Sequence, residues 1–372
     1  MFKYLKYIDS KYIMKEHSET YQLIVNRKNF HDYKISQNIP NDLEEGQILV
    51  KILQFAFTSN NITYAAVGEV VGYWKFFPVS EAEGIIPVWG FAEVVSSKLE
   101  EISVGERIYG YYPMASHLIL QPTKIRNGNF VDGLPHRTEL PQIYNNYINT
   151  KSDPSYSLEG EAFQSIFRPL FTTSFLINDF FFDNDYFDSK NIILTSASSK
   201  TAIGLAFLLS QSTSNLDIKI IGLTSNENKE FVSNLGFYDE VISYDNMESI
   251  HSEKSSIVDF SGSEKTQSIL QKILGDNLHY NCLVGMVDWK NRGKAATNGI
   301  FFFAPTQALK TIKKLGPQIF EQKLAESWWS FTKNAKNWLT IQETTNTEAL
   351  GDLYIEMLDG KVDPSIGHIV KI

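Results

Sequence analysis

One stretch constrains this chain more than any other: Asn191-Ile-Ile-Leu-Thr-Ser-Ala-Ser-Ser-Lys-Thr-Ala-Ile-Gly-Leu-Ala-Phe-Leu-Leu-Ser-Gln211. A short run of branched apolar residues, a turn of small residues and an apolar-faced helical pattern read as strand, turn and helix. Such a unit opens a doubly wound parallel sheet, where a pyrophosphate can rest on the unpaired N–H groups and dipole of the helix N-terminus. The spacing G-x-G-x-x-G falls on Ser199, Thr201 and Gly204, so only the last glycine is present. Glycines serve such a loop through the tight turn, the close approach of backbone to pyrophosphate and close helix-to-strand packing. Gly204 keeps the third of these roles. At Ser199 and Thr201 a Cβ takes up room, but hydroxyls and backbone N–H groups remain as donors, and Lys200 adds positive charge. The alternative is that Ser198 or Ser199 only caps the helix. A nucleotide-hydrolysing P-loop does not fit, because the glycines of G-x-x-x-x-G are missing before the lysine.

The rest of the chain supplies the surroundings of that unit. Short apolar runs at 192–194, 219–223, 256–259, 282–287 and 301–303 alternate with helical patterns, which predicts a parallel sheet with helices on both faces. From about 21 to 124 the pattern is instead strand-like. Gln47-Ile-Leu-Val-Lys-Ile-Leu-Gln-Phe-Ala-Phe57 alternates at period two after a turn at Glu44-Glu-Gly46, and similar runs follow at 86–96, 104–110 and 117–122. An all-β, barrel-like domain is expected there. Residues 125–160 are polar and read as a linker or surface excursion, and the aromatic stretch 175–187 as a buried helix end plus loop. Helical patterns at 320–338 and 348–358 precede a short strand at 367–372. The expected division is 1–160 with 318–372 as a β-rich substrate and catalytic domain, and 161–317 as the dinucleotide-binding domain.

Composition excludes several function classes. The net charge of −9 is spread along the chain, whereas phosphate-backbone binding needs a basic surface, so nucleic acid is not an expected partner. Cys282 is the single cysteine, so no internal disulfide and no cysteine-based zinc site can form, and a reducing cytoplasm is the expected setting. Residues 1–9 lack the apolar run and small-residue cleavage site of a signal peptide. No segment approaches the roughly 20 apolar residues of a membrane helix.

Leu43-Glu-Glu-Gly-Gln-Ile-Leu-Val-Lys-Ile52, Phe57-Thr-Ser-Asn-Asn-Ile-Thr-Tyr-Ala-Ala-Val-Gly68, Gly90-Phe-Ala-Glu-Val-Val95 and Val104-Gly-Glu-Arg-Ile-Tyr-Gly110 stand in that order in the first half. Ile221-Gly-Leu-Thr-Ser-Asn-Glu-Asn-Lys229 with Leu235-Gly-Phe-Tyr-Asp-Glu-Val-Ile-Ser-Tyr244, and the terminal Gly367-His-Ile-Val370, follow in the second. Together they resemble the medium-chain dehydrogenase/reductase superfamily, in its zinc-free, quinone-reductase-like branch. The chain is also similar to a bacterial subfamily of unknown function whose loop reads Ser-Ser-Lys-Thr. The resemblance runs from about residue 40 to the end and implies a Rossmann domain joined to a β-rich, GroES-like domain. Zinc-dependent members carry a cysteine where Thr58 or Ser59 stands, a Gly-His-Glu where Val88-Trp-Gly-Phe91 lies, and a four-cysteine lobe. None is present, so no metal is expected.

The site residues follow from both sources. NAD-specific enzymes place an acidic residue on the ribose 2′-hydroxyl at the end of the second strand. Here the strand ends in Gly222-Leu-Thr-Ser-Asn226 with no acid until Glu227. Thr224 and Ser225 offer hydroxyls, and Lys229 offers charge to a 2′-phosphate, which favours NADP(H) over NAD. The alternative is a solvated helix start capped by Ser225 or Asn226. Tyr64 falls where the resemblance puts a tyrosine near the nicotinamide, as a proton donor or a packed edge residue. Ser59 and Asn60 are the candidate polar anchors beside it. Trp289 follows the fifth strand, at the carboxyl end where ligands of parallel sheets lie, and is a candidate wall of the substrate pocket. Thr172 lies in the segment Arg168–Ser174, which the resemblance makes a helix bordering the cofactor.

The resemblance thus implies a zinc-independent, NADP(H)-dependent oxidoreductase passing hydride to a quinone, enone or related carbonyl compound. A homodimer formed through the edge strand at 301–303 is implied as well. The alternative is a non-catalytic NADP-binding sensor or scaffold on a degenerate dehydrogenase fold. Enoyl reduction of carrier-bound chains calls for a long apolar channel or a basic docking patch, which the sequence does not show.

Overall fold

The computed structural model describes residues 20–37, 39–284 and 299–372. Two units emerge from it. The first comprises the chain up to Ile166 with Ile341–Val362 and Gly367–Ile372, and the second Phe167–Thr340 with Asp363–Ile366.

The first unit is a β-structure, as its alternating pattern predicts. Ile48–Phe57 is its central strand, paired antiparallel with Pro87–Ser97, His117–Leu120 and Ile366–Lys371. Pro87–Ser97 in turn pairs with Arg107–Pro113. Every second side chain from Ile48 to Ile52 is fully buried, which fixes the register of this strand. The stretch 125–160 is not the linker expected from its polarity. Asn129–Asp132 and Asn146–Asn149 are paired strands, and the second of them joins Arg107–Pro113 in the main sheet. The polar residues are spent inward, because Arg137, Asp132, Asn145 and Tyr147 form one buried hydrogen-bonded group.

The second unit is a parallel sheet in the order Glu240–Ser243, Lys219–Thr224, Asn191–Leu194, Ser255–Asp259, Leu278–Leu283, Ile300–Phe301, counted among the described residues. Asn191–Leu194 is central and the strand order reverses on either side of it, which is the topological switch point of a doubly wound sheet. All four of its residues are buried, three of them the apolar run Ile192–Leu194. Helix Glu161–Asp183 begins in the first unit and continues into the second. Helix Pro317–Ala335, assigned by the expected boundary at 318 to the β-rich domain, belongs to the parallel-sheet unit. Its Phe331 is fully buried against Phe171, at a ring-centroid distance of 4.7 Å, and against Phe207 at 5.4 Å. Of the expected strand 301–303, only Phe301 belongs to a strand, Ile300–Phe301. Phe303 caps helix Ala304–Leu315, where Pro305 suits the first turn. No helix among the described residues is long and apolar enough to cross a membrane.

Candidate functional site

Each unit contributes one group of candidate residues. In the parallel-sheet unit, Asn191–Leu194 leads through Thr195–Ser199 into helix Lys200–Ser212. Ser199 is the N-cap, its Oγ accepting from Ala202 N at 3.3 Å. With Ala202 N capped and Ser199 N bonded to Ser196 O, the N–H groups of Lys200 and Thr201 stay available to an anion. Gly204 departs from the expected role. It packs helix against helix rather than helix against strand, since an added Cβ would meet Ser174 Oγ at 3.0 Å and Phe171 at 3.4 Å. Ser174 also donates to Thr201 O at 2.7 Å, which locks the first turn of this helix onto Glu161–Asp183.

Ser198, Thr224 and Asn228 meet at the carboxyl ends of the first two strands. Thr224 Oγ1 lies 3.4 Å and Asn228 Nδ2 3.2 Å from Ser198 Oγ. Beside them Ser225 is half-buried, and Lys229 is exposed at the start of helix Lys229–Asn234. Among the described residues no carboxylate pairs with Thr224, Ser225 or Lys229. Asp245, the nearby acid, is held by the amide of Asn226.

Lys200 is spent elsewhere. Its ammonium donates to the carbonyl oxygens of Ile366 at 3.2 Å and Pro364 at 3.5 Å. Desolvation pulls its pKa down to about 8, opposed by the carboxylate of Asp363. The unfolded chain keeps the ordinary lysine value near 10.5. Between about pH 8 and 10 the unfolded state therefore retains a proton that the folded state has released, so Lys200 makes stability rise with pH across that window. Urea melts should show wild type gaining stability over Lys200→Met from pH 8 to 10. A constant difference between the two would contradict the buried ammonium. Thr172 is likewise committed, since its hydroxyl donates to Arg168 O at 2.8 Å within its own helix.

In the first unit, helix Ser59–Ala66 follows the central strand. Asn61, passed over in the sequence, anchors it by accepting from Thr58 N at 2.8 Å and donating to Pro87 O at 2.9 Å. Tyr64 lies inside an aromatic cluster, with ring centroids 4.6 Å from Tyr73 and 5.8 Å from Tyr111. Trp89 Nε1 donates to its hydroxyl at 3.2 Å, and the Asn60 side chain also hydrogen-bonds it. Burial pushes its pKa well above the ordinary phenol value, so the hydroxyl is neutral and acts as a hydrogen-bond donor rather than a ready acid. Ser59 is exposed at the first position of the same helix. The structure thus brings Tyr64 and Asn60 together, adds Trp89, and leaves Ser59 exposed. Trp289 lies outside the described residues. Among those described, no group of three or more His, Cys, Asp or Glu side chains is placed to hold a metal ion.

Three comparisons bear on this arrangement. The family model described as "Protein of unknown function (DUF2855)" matches residues 55–363. No curated protein matches by sequence. Among solved structures, CurA from Vibrio vulnificus in complex with NADPH is similar at 13% identity and a TM-score of 0.57, over 94% of this chain and 98% of that one. The yhdH oxidoreductase from Salmonella enterica in complex with NADP gives 13% and 0.52, over 95% and 99%. The Etr1p/NADP/crotonyl-CoA complex gives 12% and 0.55, over 95% and 99%. At these identities the likeness is one of fold: a doubly wound parallel-sheet unit together with a β-rich unit.

Proposed function

Because the chain belongs to the DUF2855 family, whose function is unknown, we propose from its structure that it is an NADP(H)-dependent reductase of a quinone, enone or related carbonyl compound. The observation that carries this reading is the switch-point turn. A capped helix N-terminus with unspent N–H groups stands beside the hydroxyls of Ser198 and Thr224 and the exposed Lys229. This donor set fits a dinucleotide with a 2′-phosphate, and three structures of the same fold hold NADPH or NADP.

When bound, the nicotinamide supplies the hydride. The early N–H groups of helix Lys200–Ser212, with Ser199 and Thr201, receive the pyrophosphate, and Gly204 and Ser174 keep that helix seated. Thr224, Ser225 and Lys229 receive the ribose and its 2′-phosphate. Lys200 acts on the phosphates only through the turn it pins, since its own charge faces two carbonyls. Tyr64, with Trp89 and Asn60 as donors to its oxygen, keeps its own proton to offer a substrate carbonyl. Hydrogen bonding to that oxygen polarises the acceptor, while proton delivery is left to solvent. Ser59 and Asn60 are the proposed polar anchors of the substrate, and a homodimer through the edge Ile300–Phe301 belongs to the same proposal.

Lys229→Ala should weaken NADPH by about tenfold, about 1.4 kcal/mol, and leave NADH unchanged. Equal loss for both nucleotides would refute the 2′-phosphate assignment. Activity is tested by NADPH oxidation across quinones, enones and an enoyl thioester such as crotonyl-CoA. The burial of Tyr64 favours a second reading, a non-catalytic NADP-binding sensor. Tight NADPH binding with no oxidation across that panel would select it.

A further inference from the structure

The turn that replaces the glycines is held from outside by two phenols. Ser196 has φ +47°, in the left-handed region that residues with a Cβ rarely occupy. Its N–H donates to Tyr244 Oη at 2.7 Å. The carbonyl of the next residue, Ala197, accepts from Tyr238 Oη at 2.9 Å, while Ala197 N donates to Leu223 O at 2.9 Å. Ser199 N closes the turn onto Ser196 O at 2.8 Å. The two tyrosines flank strand Glu240–Ser243, one on either side, and reach back to the turn across the neighbouring strand Lys219–Thr224. Room for the nearer ring comes from Gly222, where an added Cβ would sit 2.8 Å from Tyr238 Cδ1.

We propose that Tyr244 and Tyr238 are positioning residues of the dinucleotide site, holding the glycine-poor turn in the shape that presents the helix N-terminus to the pyrophosphate. The proposal rests on reading that turn as the cofactor site. A glycine in place of Ser196 would reach the left-handed region without a Cβ penalty, so its backbone would need no clamp. In this chain the clamp supplies the shape instead, and a backbone N–H and a backbone carbonyl are both consumed in making it. Burial raises the pKa of both phenols, which keeps them neutral and their hydrogen bonds intact through the physiological range.

The test is a double-mutant cycle on the full chain, read by NADPH fluorescence titration and by the melting temperature of each apo protein. Tyr244→Phe removes one hydroxyl and is expected to weaken NADPH about five- to tenfold. Ser196→Gly alone sets the reference affinity against which the second substitution is read. The pair should recover most of the lost affinity, because the glycine no longer needs the clamp. Equal loss from Tyr244→Phe in the wild-type and Ser196→Gly backgrounds would overturn the proposal, since a phenol important only for packing shows no such coupling. Tyr238→Phe carries the same cycle should Tyr244→Phe fail to fold. No NADPH binding by the unsubstituted chain overturns both this proposal and the cofactor reading. Binding without coupling overturns this proposal alone.

Discussion

Replacing Arg137 with methionine is expected to destabilise the first unit by about 3–5 kcal/mol, the cost of breaking a buried charge pair from one side. The guanidinium is fully buried. It donates to Asp132 Oδ2 at 2.8 Å, Asn145 Oδ1 at 2.9 Å, Tyr147 Oη at 3.0 Å and Tyr144 O at 2.9 Å. Its plane also lies over the rings of Phe77 and Phe76, at 5.2 and 5.4 Å from their centroids. Without it the carboxylate of Asp132 stays buried with backbone donors only, from Gln121 and Leu134. Asp132→Leu combined with Arg137→Met should recover much of the loss, since removing both charges also removes the desolvation cost. Urea unfolding of the three variants measures this. A loss below about 1 kcal/mol for Arg137→Met, the range of exposed pairs, would contradict the buried network.

Phe331→Ala is expected to cost about 3–5 kcal/mol through the cavity it leaves, this time in the second unit. The ring stacks on Phe171 at an interplanar angle of 21° and meets Phe167 and Phe207 edge-on, at 5.0 and 5.4 Å. Three helices are thereby clamped together: Glu161–Asp183, Lys200–Ser212 and Pro317–Ala335. Helix Lys200–Ser212 carries the candidate anion site at its start, so NADPH affinity should fall along with stability. Phe331→Leu keeps most of the volume and should cost less than half as much, about 1.5 kcal/mol or below. Comparable losses for alanine and leucine would show that the ring contacts, rather than the filled volume, hold the helices.

The sequence carried the centre of the second unit's sheet because Asn191–Leu194 and Ser255–Asp259 are buried throughout, and Ile192–Leu194 announces itself as an unbroken apolar run. The first unit was legible for the complementary reason, its central strand alternating at period two. Where burial is achieved by polar groups the reading failed. Residues 125–160 looked like a surface linker because Arg137, Asp132 and Asn145 satisfy one another inside the fold, and composition alone cannot tell paired polarity from solvated polarity.

The candidate site was legible in its residues and not in their partners. Ser199 and Thr224 stand at a helix start and a strand end, where the sequence pattern puts them. Local pattern gives no sign that the Lys200 ammonium turns to carbonyls some 160 residues away. Nor does it show that Tyr238 and Tyr244 reach back more than 40 residues to the turn. Such contacts depend on strand order, which fixes neighbours that the chain does not make adjacent. Gly204 shows the limit of motif reasoning in another way: the glycine is required, but for a helix partner in Glu161–Asp183 rather than for the strand beneath it.

The central claim is that the turn between Leu194 and Lys200 still holds a dinucleotide and prefers the 2′-phosphorylated form. Parallel titrations of the purified chain with NADPH and NADH, read by thermal shift and by nucleotide fluorescence, test it most directly. A saturating ligand at 100 times its Kd adds about 2.7 kcal/mol of stability, a shift of a few degrees in a domain of this size. The account predicts such a shift with NADPH, and an affinity for NADH about tenfold weaker. No shift and no binding with either nucleotide at millimolar concentration would contradict it.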